Sequence, residues 1–323
     1  MPSVSRQLLF SSDPKADESL VGYLLRLAEL NRLSTLSWML QVARIKSYVQ
    51  TNLSFVFDPS LDLLPLSKLA GVDTVELSAL IYAPASSVRR GAGDYLMYGA
   101  PVPQYMLRAR HPKVCPACLR EDRYARRIWD LSPVTTCPLH RCLLLDECPN
   151  CSRRLSWVRH KVSSCSCDFD WRRSETPTVS DPELEVSRQI YLRCKLQHGK
   201  GNAERKAKDN PLSKLGLKDF LSALFFIASQ YAGVMDTKGK HLAPSMRSSK
   251  LHPLLCKAAT VYEDWPNNYF SFLDWRRAQV PETKFAEGVR RDFAGYKSAL
   301  YTQLASNRFN YMRSAFEEYL SSR

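Results

Sequence analysis

The sequence predicts a mainly α-helical protein with small β ribbons. It is organised as an N-terminal helix-turn-helix domain over residues 1–110, a cysteine-rich tandem-ribbon region over 111–175 and a helical C-terminal domain over 176–323. Three observations predict it. Apolar residues recur at three- and four-residue spacing towards both ends of the chain, the mark of amphipathic helices. Eight of the ten cysteines fall between Cys115 and Cys167, and such clustering needs a local cause. With 323 residues, 45% hydrophobic and 24% charged, the chain has globular composition and the length of two or three packed units.

In chain order, residues 17–31 (DESLVGYLLRLAELN) place Leu20, Tyr23, Leu24, Leu27 and Ala28 on one helical face behind an Asp17 or Ser19 cap. A second short helix follows over 35–44, with Leu36, Met39, Leu40 and Ala43 in register. Residues 64–82 (LPLSKLAGVDTVELSALIY) contain Gly71 between two short periodic pieces, which reads as helix, tight turn, helix. The second helix of that pair, residues 73–82, carries Asp73 and Glu76 and no Lys or Arg. It would present carboxylates to phosphates, so a structural or protein-contacting role fits it better than a major groove. Arg89 and Arg90 just beyond it are candidates for phosphate contact, and equally a solvated pair beside Gly91 and Gly93. The C-terminal part opens with Asp181 and Pro182 ahead of a helical stretch. Residues 197–210 (QHGKGNAERKAKDN) lack apolar periodicity and read as a loop whose Lys206 and Lys208 are further candidates for phosphate contact. Helices are expected again over 218–231, with Phe220, Leu221, Leu224, Phe225 and Ala228 inside, and from about 285 to 321, with Phe309, Met312, Phe316 and Leu320 on one face.

The cysteines supply the chemistry. CPAC at Cys115 and Cys118 is followed after eighteen residues by CPLH at Cys137 and His140. Each pair is a tight knuckle that turns two ligands inward while backbone amides face the sulfurs. CPNC at Cys148 and Cys151 is followed after thirteen residues by CSC at Cys165 and Cys167, whose single spacer is the less usual form. A disulfide framework needs an oxidising compartment. Residues 1–14 show no apolar secretion signal and the longest apolar run, residues 223–228, is far short of the roughly 20 that span a bilayer. The expectations are therefore a cytoplasmic protein, no membrane partner, and two structural Zn²⁺ per chain in tandem ribbons. Cys142, between the clusters, either substitutes for a ligand or faces a small core from a strand; Cys194 and Cys256 read as buried helix thiols.

Both ligand sets are closed, which leaves no open position for a catalytic water. No P-loop, nucleophile elbow or paired-histidine helix motif occurs, so an enzyme is not expected. Lys and Arg outnumber Asp and Glu by 46 to 32, for a formal charge of +14. The excess is 2 in residues 1–110, 4 in 111–175 and 8 in 176–323. A polyanionic partner suits that balance, whereas the near-neutral first 110 residues suit protein contact.

The 17–31 segment, CPACLREDRYARRIWDLSPVTTCPLH, CPNC, and DWPNNYFSFLDW from Asp264 occur in an order that resembles the TniQ family of bacterial transposition target-selection proteins. The resemblance implies a helix-turn-helix, tandem zinc ribbons and a helical C-terminal region. It also implies an adaptor that connects a target-recognising element, a CRISPR effector complex with its guide RNA, to TnsC, the AAA+ ATPase that recruits the transposase. DNA near the insertion site and a second copy of the chain, as a homodimer, are the other partners it suggests. The alternative is a TnsD-like protein that itself binds a specific DNA attachment site, generally through a longer C-terminal region. An RNA-guided adaptor leaves sequence reading to base pairing. A TnsD-like selector must reach base edges itself, and the 73–82 helix has no Arg, Lys, Asn or Gln to do so.

Overall fold

The computed structural model describes residues 7–45, 54–85, 93–108, 110–196, 210–233, 246–279, 293 and 295–322, which divide into two units, Met1–Ser180 and Asp181–Arg323. In the first unit, helix α1 (Leu20–Leu30) begins where the Ser19 hydroxyl accepts the Gly22 amide at 3.1 Å, a side-chain cap for an otherwise unpaired helix donor. Its apolar stripe is buried: Tyr23, Leu24, Leu25, Leu27 and Ala28 are fully covered. Helix α2 (Ser37–Val42) contributes Met39 and Leu40 to the same core. Helix α3 (Leu64–Ala70) stops at Gly71, whose φ of 70° is a left-handed conformation that glycine adopts without strain. Asp73 then caps α4 (Thr74–Ala79), its carboxylate accepting the Val75 amide at 2.7 Å. The helix-turn-helix read from the sequence is present.

A hairpin the periodicity did not signal follows, with β1 (Asp94–Met97) antiparallel to β2 (Ala100–Pro103) and Met97 opposite Ala100. Its turn residues Tyr98 and Gly99 both have positive φ, 51° and 77°, as the tight hairpin turn that matches strand twist requires. The Tyr98 hydroxyl donates to the Asp17 carboxylate, which ties the hairpin to the start of α1.

The N-terminal helices and the cysteine-rich region are stitched into one core. The Ser19 amide donates to the Ala125 carbonyl at 3.1 Å and the Arg127 amide to that of Asp17 at 2.7 Å. The Arg127 guanidinium donates to the carbonyl of Ala79, the last residue of α4, at 2.7 Å and to that of Ile81 just beyond it at 3.0 Å, and lies 4.5 Å from the Tyr82 ring centroid. A cation at a helix C-terminus satisfies free carbonyls and complements the helix dipole. Beneath it the Tyr82 hydroxyl donates to the buried Asp130 carboxylate at 2.8 Å. Lys113 is 1% exposed and directs its ammonium at three carbonyls, those of Leu131, Ser132 and Val134, so a buried charge substitutes for missing backbone donors.

The second unit is helical. Helix α6 (Asp181–Arg193) follows α5 of the cysteine-rich region (Pro116–Glu121), and α7 (Leu217–Tyr231) is buried around most of its circumference, including Phe220, Leu224, Phe225 and Phe226. Helices α8 (Ser248–Thr260) and α9 (Asn267–Ala278) follow, then α10 (Tyr296–Gln303) and α11 (Asn310–Ser321). Within the expected 285–321 stretch, the described part is two helices, because a Ser306-capped turn intervenes. Trp265 of the DWPNNYFSFLDW segment stacks between Tyr262 and Tyr269, at centroid distances of 5.8 and 4.9 Å, and Tyr262 bonds the Ala223 carbonyl of α7 at 3.0 Å. That segment is the aromatic core of this unit.

Candidate metal centres

Helix α5 starts at the first knuckle. Cys115 is its N-cap, with Sγ accepting the Cys118 amide at 3.5 Å, and Pro116 occupies the first turn where no amide is needed. The second knuckle hangs between strands β3 (Thr136–Cys137) and β4 (Cys142–Leu143), paired so that Cys137 faces Cys142. Together they bring Cys115, Cys118, Cys137 and His140 within 4.8 Å of one another. His140 Nδ1 lies 3.6, 3.2 and 3.5 Å from the three sulfurs, and Cys118 Sγ lies 3.7 Å from that of Cys137. A tetrahedral metal with bonds of about 2.3 Å to sulfur needs ligand edges of ~3.8 Å, so the thiols are spaced for a shared cation.

The histidine supplies an independent check. Its Nε2 turns away from the sulfurs and meets Glu121 Oε1 at 2.8 Å. With that nitrogen protonated and held by a carboxylate, Nδ1 is left as a lone-pair donor towards the cysteines, the usual outer support of a metal-bound imidazole. Contact with Cys115, together with burial, pushes the Cys118 thiol up to about 12, against the lowering effect of Cys137. Crowded thiols hold their protons without a cation, and a divalent ion would displace them.

In the second set Cys148, Cys151, Cys165 and Cys167 also converge within 4.8 Å, with sulfur pairs 148–167 and 151–165 each at 3.7 Å. The CSC spacing therefore delivers both ligands. Asn150 donates to Cys167 Sγ at 3.6 Å and Arg153 to Cys151 Sγ at 3.5 Å. The Arg153 bond holds the half-buried Cys151 thiol down at about 6, which favours the ligating thiolate. Arg141, Ser152 and Asp168, each directly after the last ligand of a pair, have φ of 53°, 54° and 62° and turn the chain sharply away from the ligands. Between the ligand pairs, the Arg159 guanidinium lies between Trp157 and Trp171 at 4.9 and 4.8 Å, so this ribbon owns a small core besides its metal ligands.

All eight sequence-predicted ligands are thus assembled. Cys142 touches Cys115 Sγ at 3.6 Å but lies outside the converging four; it faces a core from β4 and borders the centre through one ligand. Cys194 is buried, and Cys256 is half-buried beside His252. Arg89, Arg90, Lys206 and Lys208 lie outside the described residues. Glu121, Asn150 and Arg153 were not foreseen; the signal available was their position, inside or just after a knuckle, where a polar side chain reaches a ligand. Among the described residues no helix is long and apolar enough to cross a membrane.

Compared with known proteins, residues 9–144 match the family model TniQ. That span takes in α1, the helix-turn-helix and the whole first ligand set. No curated protein matches the chain.

Proposed function

We propose, on the premise that residues 9–144 make this a TniQ-family chain, that the protein is a transposition target-selection adaptor acting in the cytoplasm. A transposition-associated target-selection role is what the family implies. The adaptor reading adds that the chain links a CRISPR effector complex carrying its guide RNA to the AAA+ ATPase TnsC, close to the DNA at the insertion site. The observation that carries this reading is the outer face of α4. Its exposed residues are Val75, Glu76, Ser78 and Ala79, with Val75 73% exposed. Specific base reading relies on bidentate Arg, Lys, Asn or Gln, and that face has none. An apolar side chain beside a carboxylate suits a protein surface.

The metal is zinc, two per chain. Three or four thiolates in a closed tetrahedral set match structural zinc, and the ions supply folding energy rather than a chemical step. No catalytic step is assigned to the chain.

The test is retention of purified full-length protein on three baits: TnsC filaments, a guide-loaded effector complex, and DNA carrying a candidate attachment site. The adaptor reading expects retention on the first two at physiological salt, and loss of TnsC retention in Val75→Glu with zinc content unchanged. Retention confined to one DNA sequence would replace it with the TnsD-like reading.

A further inference from the structure

Beside the second ligand set lies a cleft of about 600 Å³, between the end of α1, the loop after α5 and the 161–173 stretch of the ribbon. Its basic lining is Arg123, Lys161, Arg172 and Arg173. Arg172 is held by Asp170 at 2.6 Å, and its carbonyl accepts the Arg120 guanidinium at 2.6 Å, which brings a fifth cation to the rim. The carboxylates of the lining are all committed. Glu29 accepts the Val162 amide at 2.8 Å, Asp168 pairs with His160 at 3.1 Å, and Asp170 holds Arg172. Arg123, Lys161 and Arg173 are exposed and, among the described residues, their side chains make no hydrogen bond or ion pair.

We propose that this cleft grips successive phosphates of a nucleic-acid backbone, a role that rests on the target-selection reading. Solvated cations are ordinary on a protein surface. These differ in sharing one concave polar site in which each lining carboxylate already has a polar partner. Two arginines and a lysine projecting from two elements present forked and point donors to a polyanion of regular charge spacing. Four cations against three carboxylates give little long-range attraction, so the grip is short-ranged, indifferent to sequence and sensitive to salt.

The test uses the full-length zinc-loaded protein and fluorescence anisotropy over a salt series, with a short random-sequence DNA duplex and a single-stranded RNA of equal length as probes. The cleft variant is Arg123→Gln, Lys161→Gln, Arg173→Gln; the control, Lys68→Gln, Lys214→Gln, Lys250→Gln, removes the same formal charge elsewhere. Neutralising three phosphate contacts flattens the slope of log K against log salt by roughly 2.7 for duplex and roughly 2 for single strands. That loss in the cleft variant, with the control near wild type, is the expected result, and the probe that shows it identifies the source of the phosphate. Should the triple variant lose zinc, Arg123→Gln alone is read, with an expected change of roughly 0.9 on duplex. An unchanged slope overturns the proposal, as does an equal loss in the control, or a poly-glutamate competitor that binds as tightly as either nucleic acid and loses its binding in the same variant. TnsC retention is scored on the same samples. A chain that ignores TnsC but shows the slope change sinks the adaptor reading alone; one that holds TnsC with an unchanged slope sinks the cleft alone.

Discussion

Gly22→Ala, on the buried side of α1, should destabilise the first unit although alanine is the better helix former. A Cβ at residue 22 would sit 2.7 Å from the Ala125 Cβ and 2.9 Å from the Ser19 hydroxyl, about 1 Å inside ordinary carbon contact. Overpacking of this kind costs roughly 1–3 kcal/mol, and disturbing the Ser19 cap removes about 1 kcal/mol more. Helix propensity returns about 1 kcal/mol. The net expectation is a loss of about 1–3 kcal/mol. Ala125 cannot swing aside, because its own carbonyl is held by the Ser19 amide. Hydrogen exchange of the α1 amides reports this unit without averaging over the second. Ala125→Gly in the same background should recover at least about 1 kcal/mol, since it deletes one of the two clashing atoms. Equal or greater α1 protection in Gly22→Ala would refute the reasoning, by showing that α1 does not pack closely on the segment that follows the first knuckle.

Elemental analysis should find two zinc per chain, and Cys137→Ala should lose one equivalent together with native near-ultraviolet signal; a folded variant holding both ions would count against the first ligand set. Glu121→Gln should weaken the first centre about 10- to 100-fold in chelator competition, because the histidine loses the carboxylate that orients it; unchanged competition would sever that link. Burial raises Asp130 to about 7, against the lowering effects of Tyr82, Arg127 and Lys113. The folded state therefore binds this proton more tightly than the unfolded chain, so its stabilising effect is complete below about pH 4 and fades as pH rises to about 7. Over pH 5.5–7, where the zinc ligands should stay loaded, unit 1 should lose up to about 1.4 kcal/mol per pH unit. Asp130→Asn should flatten that slope, and an identical slope in the variant would assign it elsewhere.

The sequence made legible those elements whose signal is local. Caps and periodicity marked α1, Gly71 marked the turn between α3 and α4, and ligand spacing marked both cysteine sets because a metal fixes which residues must meet. The hairpin was silent: its strands are four residues each, β2 contains two prolines, and Tyr98 stands where Asn or Asp would announce the turn. Helix α8 carries Pro253 in its interior, which reads as a break. Arg159 between two tryptophans, caged Lys113 and the Arg127 cap were unreadable for a different reason. Each is a charge whose partners are backbone carbonyls or ring faces, and sequence spacing encodes neither. The acidic character of α4 was legible, and the structure adds that its exposed face includes Val75.

Equilibrium binding of the intact zinc-loaded chain to assembled TnsC, without DNA and at physiological salt, tests the adaptor claim most directly. The expected result is saturable binding that Val75→Glu abolishes while both zinc ions remain. Absence of binding to TnsC, together with a sequence-specific footprint on DNA that survives the same salt, would contradict it.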